Sequence, residues 1–346
     1  MTMVNRLLGC VLLLAAGVFV QALAQQPQFK TLKVDFMPGE KTLFFDDFTD
    51  MAPGDAPPHF KVRGSAPDLR EAGNVREMSA GQKSTLIPNL TALPKNFTFE
   101  TEANFDATTG RVTATYSFFS KNKETLQWVV TAQKELVDLI VSLRSPKYEE
   151  LGRKRIPAGA LTKQPLKLAL WVQDGRVRIY LHGEKQLDFN QVELPPLDRV
   201  EMTTGFWGGN PALGYRTVRF AESAPDVSQT IMASGRYVSH GILFDTGSDR
   251  LKAESAPAIQ SIAKALGTNP ALSLLIEGHT DAVGNAAANL DLSKKRAEAV
   301  KAVLVSQFAV DKARLATNGL GATKPIDSND TPLGRAQNRR VEFVKQ

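Results

Sequence analysis

Two residues of opposite charge, Asp281 and Arg296, are placed where each charge needs a partner. Arg296 begins a line of otherwise apolar residues in a segment with helical periodicity. The line comprises positions 296, 299, 300, 303 and 304. A guanidinium on an apolar stripe is costly unless it pairs with an anion from the protein or from a ligand. The alternative is an arginine at the end of the stripe whose head group reaches water.

Asp281 closes the motif Gly278-His279-Thr280-Asp281, which follows an apolar strand pattern. In a βαβ unit the loop after the strand and the start of the next helix meet at the carboxyl end of the sheet. We therefore expect Asp281 and Arg296 to be neighbours. Spacing alone favours an internal salt bridge. Held slightly apart, however, the pair is complementary to a zwitterion, because arginine binds a carboxylate and aspartate binds an ammonium group. The ligand class that this suggests is an amino acid.

Other polar residues give weaker signals. The four histidines have no metal-ligand spacing, so we predict no metal and no cofactor and interpret His279 as a loop residue. Glu100, Glu102 and Asp106 share one face of a predicted strand, as the carboxylates of some glycanases do, but Asn104 interrupts the row. We interpret that row as a solvated strand face and predict no enzymatic activity. The aromatic side chains of Trp171, Phe206 and Trp207 could stack on sugars, but core packing is the favoured reading.

The period of the apolar residues divides the chain into two domains. Between Leu43 and Phe220 apolar residues alternate with others at period two, which predicts an all-β sandwich over residues 25–220. Asp174-Gly175 lies between two alternating runs and predicts a type I′ hairpin turn. Residues 221–235 lack sustained alternation and are predicted to be a linker.

Residues 236–346 alternate between strand and helix patterns and predict an α/β domain with a βαβ unit and helices on a small mixed sheet. The predicted elements are a helix through Ile259 and Leu266, a strand at Leu272–Glu277, a helix at Leu292–Phe308, a strand at Leu315–Asn318, a helix at Pro332–Arg339 and a strand at Val341–Val344.

Composition and the amino terminus restrict the function class. The chain has 346 residues, of which 42% are hydrophobic, and this is typical of a folded protein with about two domains. Its 42 basic and 36 acidic residues are interspersed, so a nucleic acid is not an expected partner. The single cysteine, Cys10, excludes an internal disulfide framework.

Residues 1–24 have a positive start, an apolar middle and an Ala22-Leu23-Ala24 end, which predicts a signal peptide cleaved after Ala24. The apolar run is short of the roughly 20 residues of a transmembrane helix, and no other segment is a candidate span. Cys10 precedes the run, so lipidation there is not expected. The mature protein is then expected to work outside the cytoplasm.

Several separated motifs between Ile242 and the carboxyl terminus resemble the peptidoglycan-binding domain of the outer-membrane protein A (OmpA-like) family. They are Gly278-His279-Thr280-Asp281, Asn289, Leu292-Ser293, Arg296-Ala297, Gly319 and Gly334-Arg335-Ala336-Gln337-Asn338-Arg339-Arg340-Val341-Glu342-Phe343. The resemblance implies noncovalent binding of the diaminopimelate of the peptidoglycan stem peptide. Asp281 matches the aspartate that binds the ammonium group, and Arg296 matches the arginine that binds the carboxylate.

The same resemblance assigns further positions around that pocket. Thr246, Thr280, Asn289 and Arg339 match residues that line it. Gly247 departs from the pattern, because some members of the family carry an asparagine there that contacts the ligand. The absence of this asparagine implies weaker binding or a water molecule in its place.

The predicted sandwich resembles concanavalin or laminin G type jelly rolls by pattern. The segments that carry this likeness are Phe44–Phe48, Val177–Lys185, Phe206-Trp207 and Val218–Phe220. Together the two resemblances imply a binding protein of the Gram-negative envelope, periplasmic and peptidoglycan-associated, whose sandwich meets a second glycan or protein partner. One alternative is an envelope glycan hydrolase. The other is an outer-membrane β-barrel with a periplasmic anchor, which the charges on the alternate strand face disfavour.

Overall fold

The computed structural model describes residues 26–32, 36–72, 75–90, 92–134, 136–157, 165–223 and 226–346. The predicted signal peptide, residues 1–24, lies outside these ranges. The chain forms two compact units. One contains residues 226–324 and 340–346 together with the amino-terminal segment, and the other contains residues 34–225 and 325–339. No helix among the described residues has both the length and the apolar character to cross a membrane.

The second unit is a two-sheet antiparallel sandwich, which confirms the predicted fold class of the amino-terminal half. Its strands in chain order are β1 Lys41–Asp46, β2 Phe60–Arg63, β3 Asp68–Ala72, β4 Val75–Ala80, β5 Thr85–Pro88, β6 Phe97–Asp106, β7 Arg111–Ser120, β8 Lys123–Gln133, β9 Leu136–Leu143, β10 Glu149–Pro157, β11 Leu166–Gln173, β12 Arg176–Leu181, β13 Glu184–Phe189, β14 Arg199–Trp207 and β15 Ala212–Glu222. One sheet has the order β13-β12-β11-β6-β15-β4-β3, with β1 also paired to β15. The other has the order β10-β9-β8-β7-β14-β5-β2.

The alternation of apolar with other residues produces this sandwich, because every second side chain of each long strand points between the two sheets. The ring of Phe99 on β6 stacks on Phe220 of β15 at 4.6 Å between centroids and meets Tyr116 of β7 at 4.9 Å. Trp128 of β8 is fully buried in the same cluster. The hairpin predicted at Asp174-Gly175 joins β11 to β12, and both turn residues have positive φ angles.

The region predicted as a linker, residues 221–235, is mostly regular structure. Strand β15 continues to Glu222, and helix α1 spans Val227–Ser234. The Asp226 side chain accepts a hydrogen bond from the backbone N–H of Gln229 at 2.8 Å and caps this helix. A helix of this length with only two buried residues carries too short an apolar period to show in the sequence.

The other unit is α/β, as predicted. It contains β16 Arg236–Ser239, α2 Ala256–Thr268, β17 Leu274–His279, α3 Ala286–Phe308, β18 Leu315–Gly321 and β19 Val341–Lys345. The sheet order is β16-β19-β17-β18, with β17 and β18 parallel and the other pairs antiparallel. Helix α3 therefore makes the crossover of a βαβ unit. It begins six residues before the predicted start, where Asn285 caps it by accepting from two backbone N–H groups.

The amino-terminal segment, residues 26–32, is part of this α/β unit. The Gln26 side chain accepts from the backbone N–H of Leu251 at 3.0 Å, and Phe29 is fully buried. The side chain of Gln260 donates to the Phe29 carbonyl at 2.7 Å, and that of Gln307 donates to the Pro27 carbonyl at 2.8 Å. The sequence pattern predicts residues 25–220 as sandwich, so it does not predict the place of this segment in the α/β unit.

Helix α4, which spans Pro332–Asn338, belongs to the sandwich unit by its contacts with β1. The Gln337 side chain donates to the Thr42 carbonyl at 2.8 Å, and Arg335 donates to the Thr49 hydroxyl at 2.7 Å. The sequence predicted this helix, and the Thr331 side chain caps it by accepting a hydrogen bond from the Gly334 N–H. It did not predict that residues 325–339 pack with the sandwich.

Candidate functional site

Small residues bring α3 directly against the ends of β17 and β18. A Cβ built on Gly278 would lie 2.1 Å from the backbone oxygen of Ser293, and one on Gly319 would lie 2.5 Å from the backbone nitrogen of Lys294. The Ser293 hydroxyl accepts a hydrogen bond from the Gly321 N–H at 2.8 Å. The helix therefore has a fixed position above the carboxyl ends of the two parallel strands.

Asp281 lies in the loop between β17 and α3, and the loop has an internal framework. One carboxylate oxygen of Asp281 accepts from the Val283 N–H at 3.1 Å. The side-chain amide of Asn289 donates to the carbonyls of Asp281 at 3.3 Å and Val283 at 2.9 Å. The structure thus brings together two predicted site residues, Asp281 and Asn289, because the first turns of α3 hold the loop.

Arg296 lies beside the buried stripe of α3 and not on it, which corrects the prediction. The buried residues of this helix are Ser293, Ala297, Val300, Val303 and Leu304, whereas Arg296 and Ala299 are half-buried at the flank of that line. Part of the buried face of this helix consists of small residues, Ser293 and Ala297. A pattern based on large apolar side chains gives these residues little weight, so it places the buried stripe to one side of its true position.

The guanidinium of Arg296 is held in a defined place by the loop that follows β16. Its Nε donates to the Ser248 carbonyl at 2.9 Å, and its Cζ lies 4.9 Å from the centre of the Phe244 ring. The same loop carries Thr246, which is exposed. A planar cation oriented by a ring and a carbonyl is suited to bind a carboxylate.

The remaining predicted positions differ in their surroundings. Thr280 is buried, and its backbone N–H donates to the Gly321 carbonyl at 3.0 Å. Arg339 follows α4 in the sandwich unit, and its guanidinium lies 5.7 Å from the ring centre of Phe45 on β1. Gly247 has a φ angle of 67°, and a Cβ there would meet no atom within 4 Å.

His279 is the last residue of β17 and is buried, so the loop assignment was wrong. Its Nε2 lies 3.5 Å from Glu342, a carboxylate that accepts hydrogen bonds from Arg340 at 2.6 Å and from Arg236. Burial lowers the pKa of His279 to about 4, and the two nearby guanidinium groups add to this shift. The imidazole is therefore neutral at physiological pH.

Within the described ranges, Glu277, His279 and Glu342 are the residues whose potential metal-ligand atoms lie within 4.8 Å of one another. Glu342 already accepts from two arginines. A divalent cation would have to enter beside those two positive charges, which opposes its binding. This cluster is better understood as a buried ion-pair network than as a metal site.

Two of the three candidate carboxylates of the sandwich, Glu100 and Glu102, are paired with arginines. Glu100 accepts from Arg219 at 2.6 Å, and Glu102 lies 3.5 Å from Arg216. Two carboxylates that flank a glycosidic bond must instead be available as acid and as base or nucleophile. The ion pairs support the interpretation of this row as a strand face without a catalytic role.

The family model of the OmpA family matches residues 243–339. YfiB of Escherichia coli K12 is 38% identical over 125 residues, which cover 36% of this chain and 74% of YfiB. Outer membrane porin F of Pseudomonas aeruginosa is 37% identical over 122 residues, but the match covers only 33% of that porin. The solved peptidoglycan-associated lipoprotein of Burkholderia pseudomallei is 35% identical and covers 30% of this chain and 88% of that one, with a TM-score of 0.29.

The match to the family model falls on the carboxyl-terminal half, where the βαβ unit and the motif residues lie. The chain spans about a third of the length of the first curated relatives it matches. Because most of YfiB is covered at 38% identity, the relationship is one of family and not only of fold. Through its carboxyl-terminal domain, the chain belongs to the OmpA family.

Proposed function

We propose that this protein is an exported envelope protein that binds peptidoglycan noncovalently through its α/β half. In this proposal Arg296 binds the carboxylate of a diaminopimelate side chain, and Asp281 binds its ammonium group. Thr246, Thr280 and Asn289 are the further candidates within this unit for residues that line or shape the pocket. The sandwich provides a surface for a second partner.

The observation that carries the proposal is the support around Arg296. Its guanidinium rests against the Phe244 ring and the Ser248 carbonyl at the flank of α3. An arginine kept only to pack would be expected within the apolar stripe or extended into water. The cation is instead oriented before any ligand arrives, which lowers the entropy cost of binding a carboxylate.

Asp281 is oriented in a comparable way. Its backbone carbonyl is held by Asn289 and one carboxylate oxygen by the Val283 N–H. Both charged groups belong to the α/β unit. Asp281 follows β17 and Arg296 lies on α3, the two elements that meet at the backbone contact between Gly278 and Ser293. This arrangement supports recognition of a zwitterion by two oriented groups of opposite charge.

Co-sedimentation of the full mature chain with peptidoglycan sacculi tests the proposal. Each charge-assisted contact is worth roughly 1.5 to 3 kcal/mol, so Asp281→Ala and Arg296→Ala should each weaken binding about ten- to a hundredfold. Free diaminopimelate should compete with sacculi for the wild-type protein.

Asp291→Ala and Lys295→Ala are matched controls. They remove an exposed carboxylate and an exposed ammonium group from α3, the helix that carries Arg296. These two groups form an ion pair at 2.7 Å. Both controls should bind sacculi at wild-type strength. If the Asp281 and Arg296 variants also bind at wild-type strength, the ligand role is wrong. If they lose thermal stability and diaminopimelate does not compete, an internal structural role explains them.

The sandwich is proposed as a binding surface and not as a hydrolase. The pairing of Glu100 with Arg219 and of Glu102 with Arg216 supports this choice. A turnover assay of the purified chain on peptidoglycan and on β-glucans decides between the two functions. Steady release of reducing sugars would establish the hydrolase.

A further inference from the structure

The sandwich displays the large aromatic side chain of Trp207 to solvent. Trp207 is the last residue of β14 and is 56% exposed. The other tryptophans of the chain differ from it, since Trp128 is fully buried and Trp171 is half-buried against Phe36 and Tyr180. Core packing, the reading that the sequence favoured, therefore does not apply to Trp207.

The indole of Trp207 is held against its own strand. A Cβ built on Gly205 would lie 2.5 Å from Cη2 and 2.8 Å from Cζ3 of the indole, so the six-membered ring occupies the space above this glycine. Arg111 is the direct partner of Trp207 on β7, and its Cζ lies 5.5 Å from the ring centre. The ring is thus oriented by a glycine and a guanidinium while more than half of the side chain remains accessible.

Two turns with exposed polar groups border the indole. A Cβ on Gly110 would lie 2.2 Å from the Gly208 carbonyl oxygen, so the turns before β7 and after β14 touch through their backbones. The Asn210 N–H donates to the Thr109 hydroxyl at 3.0 Å. The exposed side chain of Gln82 donates to the Phe206 carbonyl at 3.3 Å. The guanidinium of Arg111 therefore lies at the ring, and the amide and hydroxyl groups belong to residues at the same strand end and the adjoining turns.

We propose that this group, the Trp207 patch (Gln82, Thr109, Arg111, Gly205, Trp207 and Asn210), binds one pyranose ring of a glycan chain. The inference rests on the proposed function, in which the sandwich meets a second partner, and it specifies that partner as a polysaccharide. The C–H face of the sugar packs on the indole, which offers a large rigid apolar surface at low entropy cost. The sugar hydroxyls exchange hydrogen bonds with the guanidinium, amide and hydroxyl groups around it.

Calorimetric titration of the full mature chain tests the patch with two soluble probes, a hexamer of N-acetylglucosamine and a hexamer of β-1,3-linked glucose. These probes contain no stem peptide, so the result does not depend on Asp281 or Arg296. We expect the wild-type chain to bind at least one probe, and the preference tells an amino-sugar strand from a glucan. Trp207→Ala should weaken binding about tenfold or more.

Two variants separate a stacking site from a merely apolar surface. Gly205→Ala keeps the indole but places a methyl group where the ring lies, so it should also weaken binding. Tyr148→Ala is the matched control, because Tyr148 is likewise 56% exposed and lies beneath an arginine, Arg144, at 5.2 Å. It should bind as the wild type does.

Failure of both probes to bind the wild-type chain would overturn the inference. So would undiminished binding by Trp207→Ala, or an equal loss in Tyr148→Ala. Sacculus binding by the Trp207→Ala chain is measured in parallel. If it persists while the hexamers no longer bind, the diaminopimelate proposal stands independently of the patch.

Discussion

Gly278 on β17 lies against the backbone of Ser293 on α3, so closely that a Cβ would come within 2.1 Å of the serine carbonyl oxygen. The strand and the helix therefore meet backbone to backbone at this point. Asp281 lies three residues after Gly278, in the loop that follows β17. Arg296 lies three residues after Ser293 on α3. A change in this contact must displace at least one of the two charged groups.

We expect Gly278→Ala to destabilise the α/β unit and to weaken sacculus binding. The neighbour that the methyl group meets is backbone, which cannot move aside without shifting α3. Overpacking of this kind costs about 1–3 kcal/mol. Urea denaturation measures the loss. Gly267→Ala is the control, because nothing lies within 4 Å of its Cβ in helix α2, and alanine should stabilise that helix slightly.

We expect Gly247→Asn to bind sacculi more tightly than the wild type. The backbone at 247 is left-handed, with φ of 67°, and asparagine tolerates this conformation better than most residues. The open space around the Cβ position leaves room for an amide that could reach a ligand. Gly247→Val is the contrast, since a β-branched residue is strained there and should lower the melting temperature. Equal or weaker binding by the asparagine variant would count against a site beside this turn.

We expect Phe244→Leu to weaken sacculus binding a few-fold while the protein stays folded. Leucine preserves much of the apolar packing but removes the ring that lies 4.9 Å from the Arg296 guanidinium. Such a contact is worth about 0.5–1 kcal/mol at a partly exposed position. The measurement is the sacculus dissociation constant beside the melting temperature. Unchanged affinity would mean that the ring does not orient the arginine for binding.

How far the sequence could predict this molecule depended on the kind of residue that carries each contact. Strands such as β7 and β11 alternate large apolar residues, and their positions could be predicted because period two is strong there. The short strands β2 and β5, and the largely exposed β10, have too few alternations to be separated from turns. They were not predicted.

Helix α3 shows the same limit at the candidate site. Its closest packing uses Ser293 and Ala297, which apolar periodicity underweights, so the predicted stripe passed through Arg296. The motif itself was a better guide than the periodicity. The support from Phe244 and Ser248 involves residues about 50 positions away in the chain, and no local pattern could reveal it. The loop that carries Phe244 and Ser248 comes close to α3 only when the chain folds.

The sandwich should lose stability as the pH rises. Asp46 is fully buried at the end of β1, and burial raises its pKa to about 7 against a contribution from the Phe48 N–H that lowers it. The folded protein then holds a proton that the unfolded chain releases near pH 4. The free energy of unfolding falls between about pH 4 and pH 7 and is flat above that window.

Asp46→Asn tests this assignment, because the neutral amide keeps an oxygen for the Phe48 N–H. We expect urea midpoints of the variant to lose the decline that the wild type shows between pH 4 and pH 7. His59 lowers the pKa of Asp46, whereas Asp47 and Asp50 raise it, and all three residues are unchanged in the variant. The same decline in both proteins would assign it to other groups.

The α/β unit should respond to pH in the opposite direction. The pKa of His279 is lowered to about 4 by burial and by Arg340 and Arg236, whereas the unfolded chain protonates near its ordinary value of 6.5. Stability is therefore complete above about pH 6.5 and is lost as the pH falls toward 4. His279→Gln should flatten this part of the curve. A wild-type α/β unit that is as stable at pH 4.5 as at pH 7 would contradict the assignment.

The exchange of segments between the two units has a consequence for limited proteolysis. A protease that cuts between β15 and α1 separates the chain into two fragments but leaves each unit with a piece of the other fragment. The amino-terminal fragment keeps Phe29 buried in the α/β unit, and the carboxyl-terminal fragment keeps α4 on β1. The two fragments of the nicked chain are thus held together as in fragment complementation, and they would separate only when both of these contacts are lost.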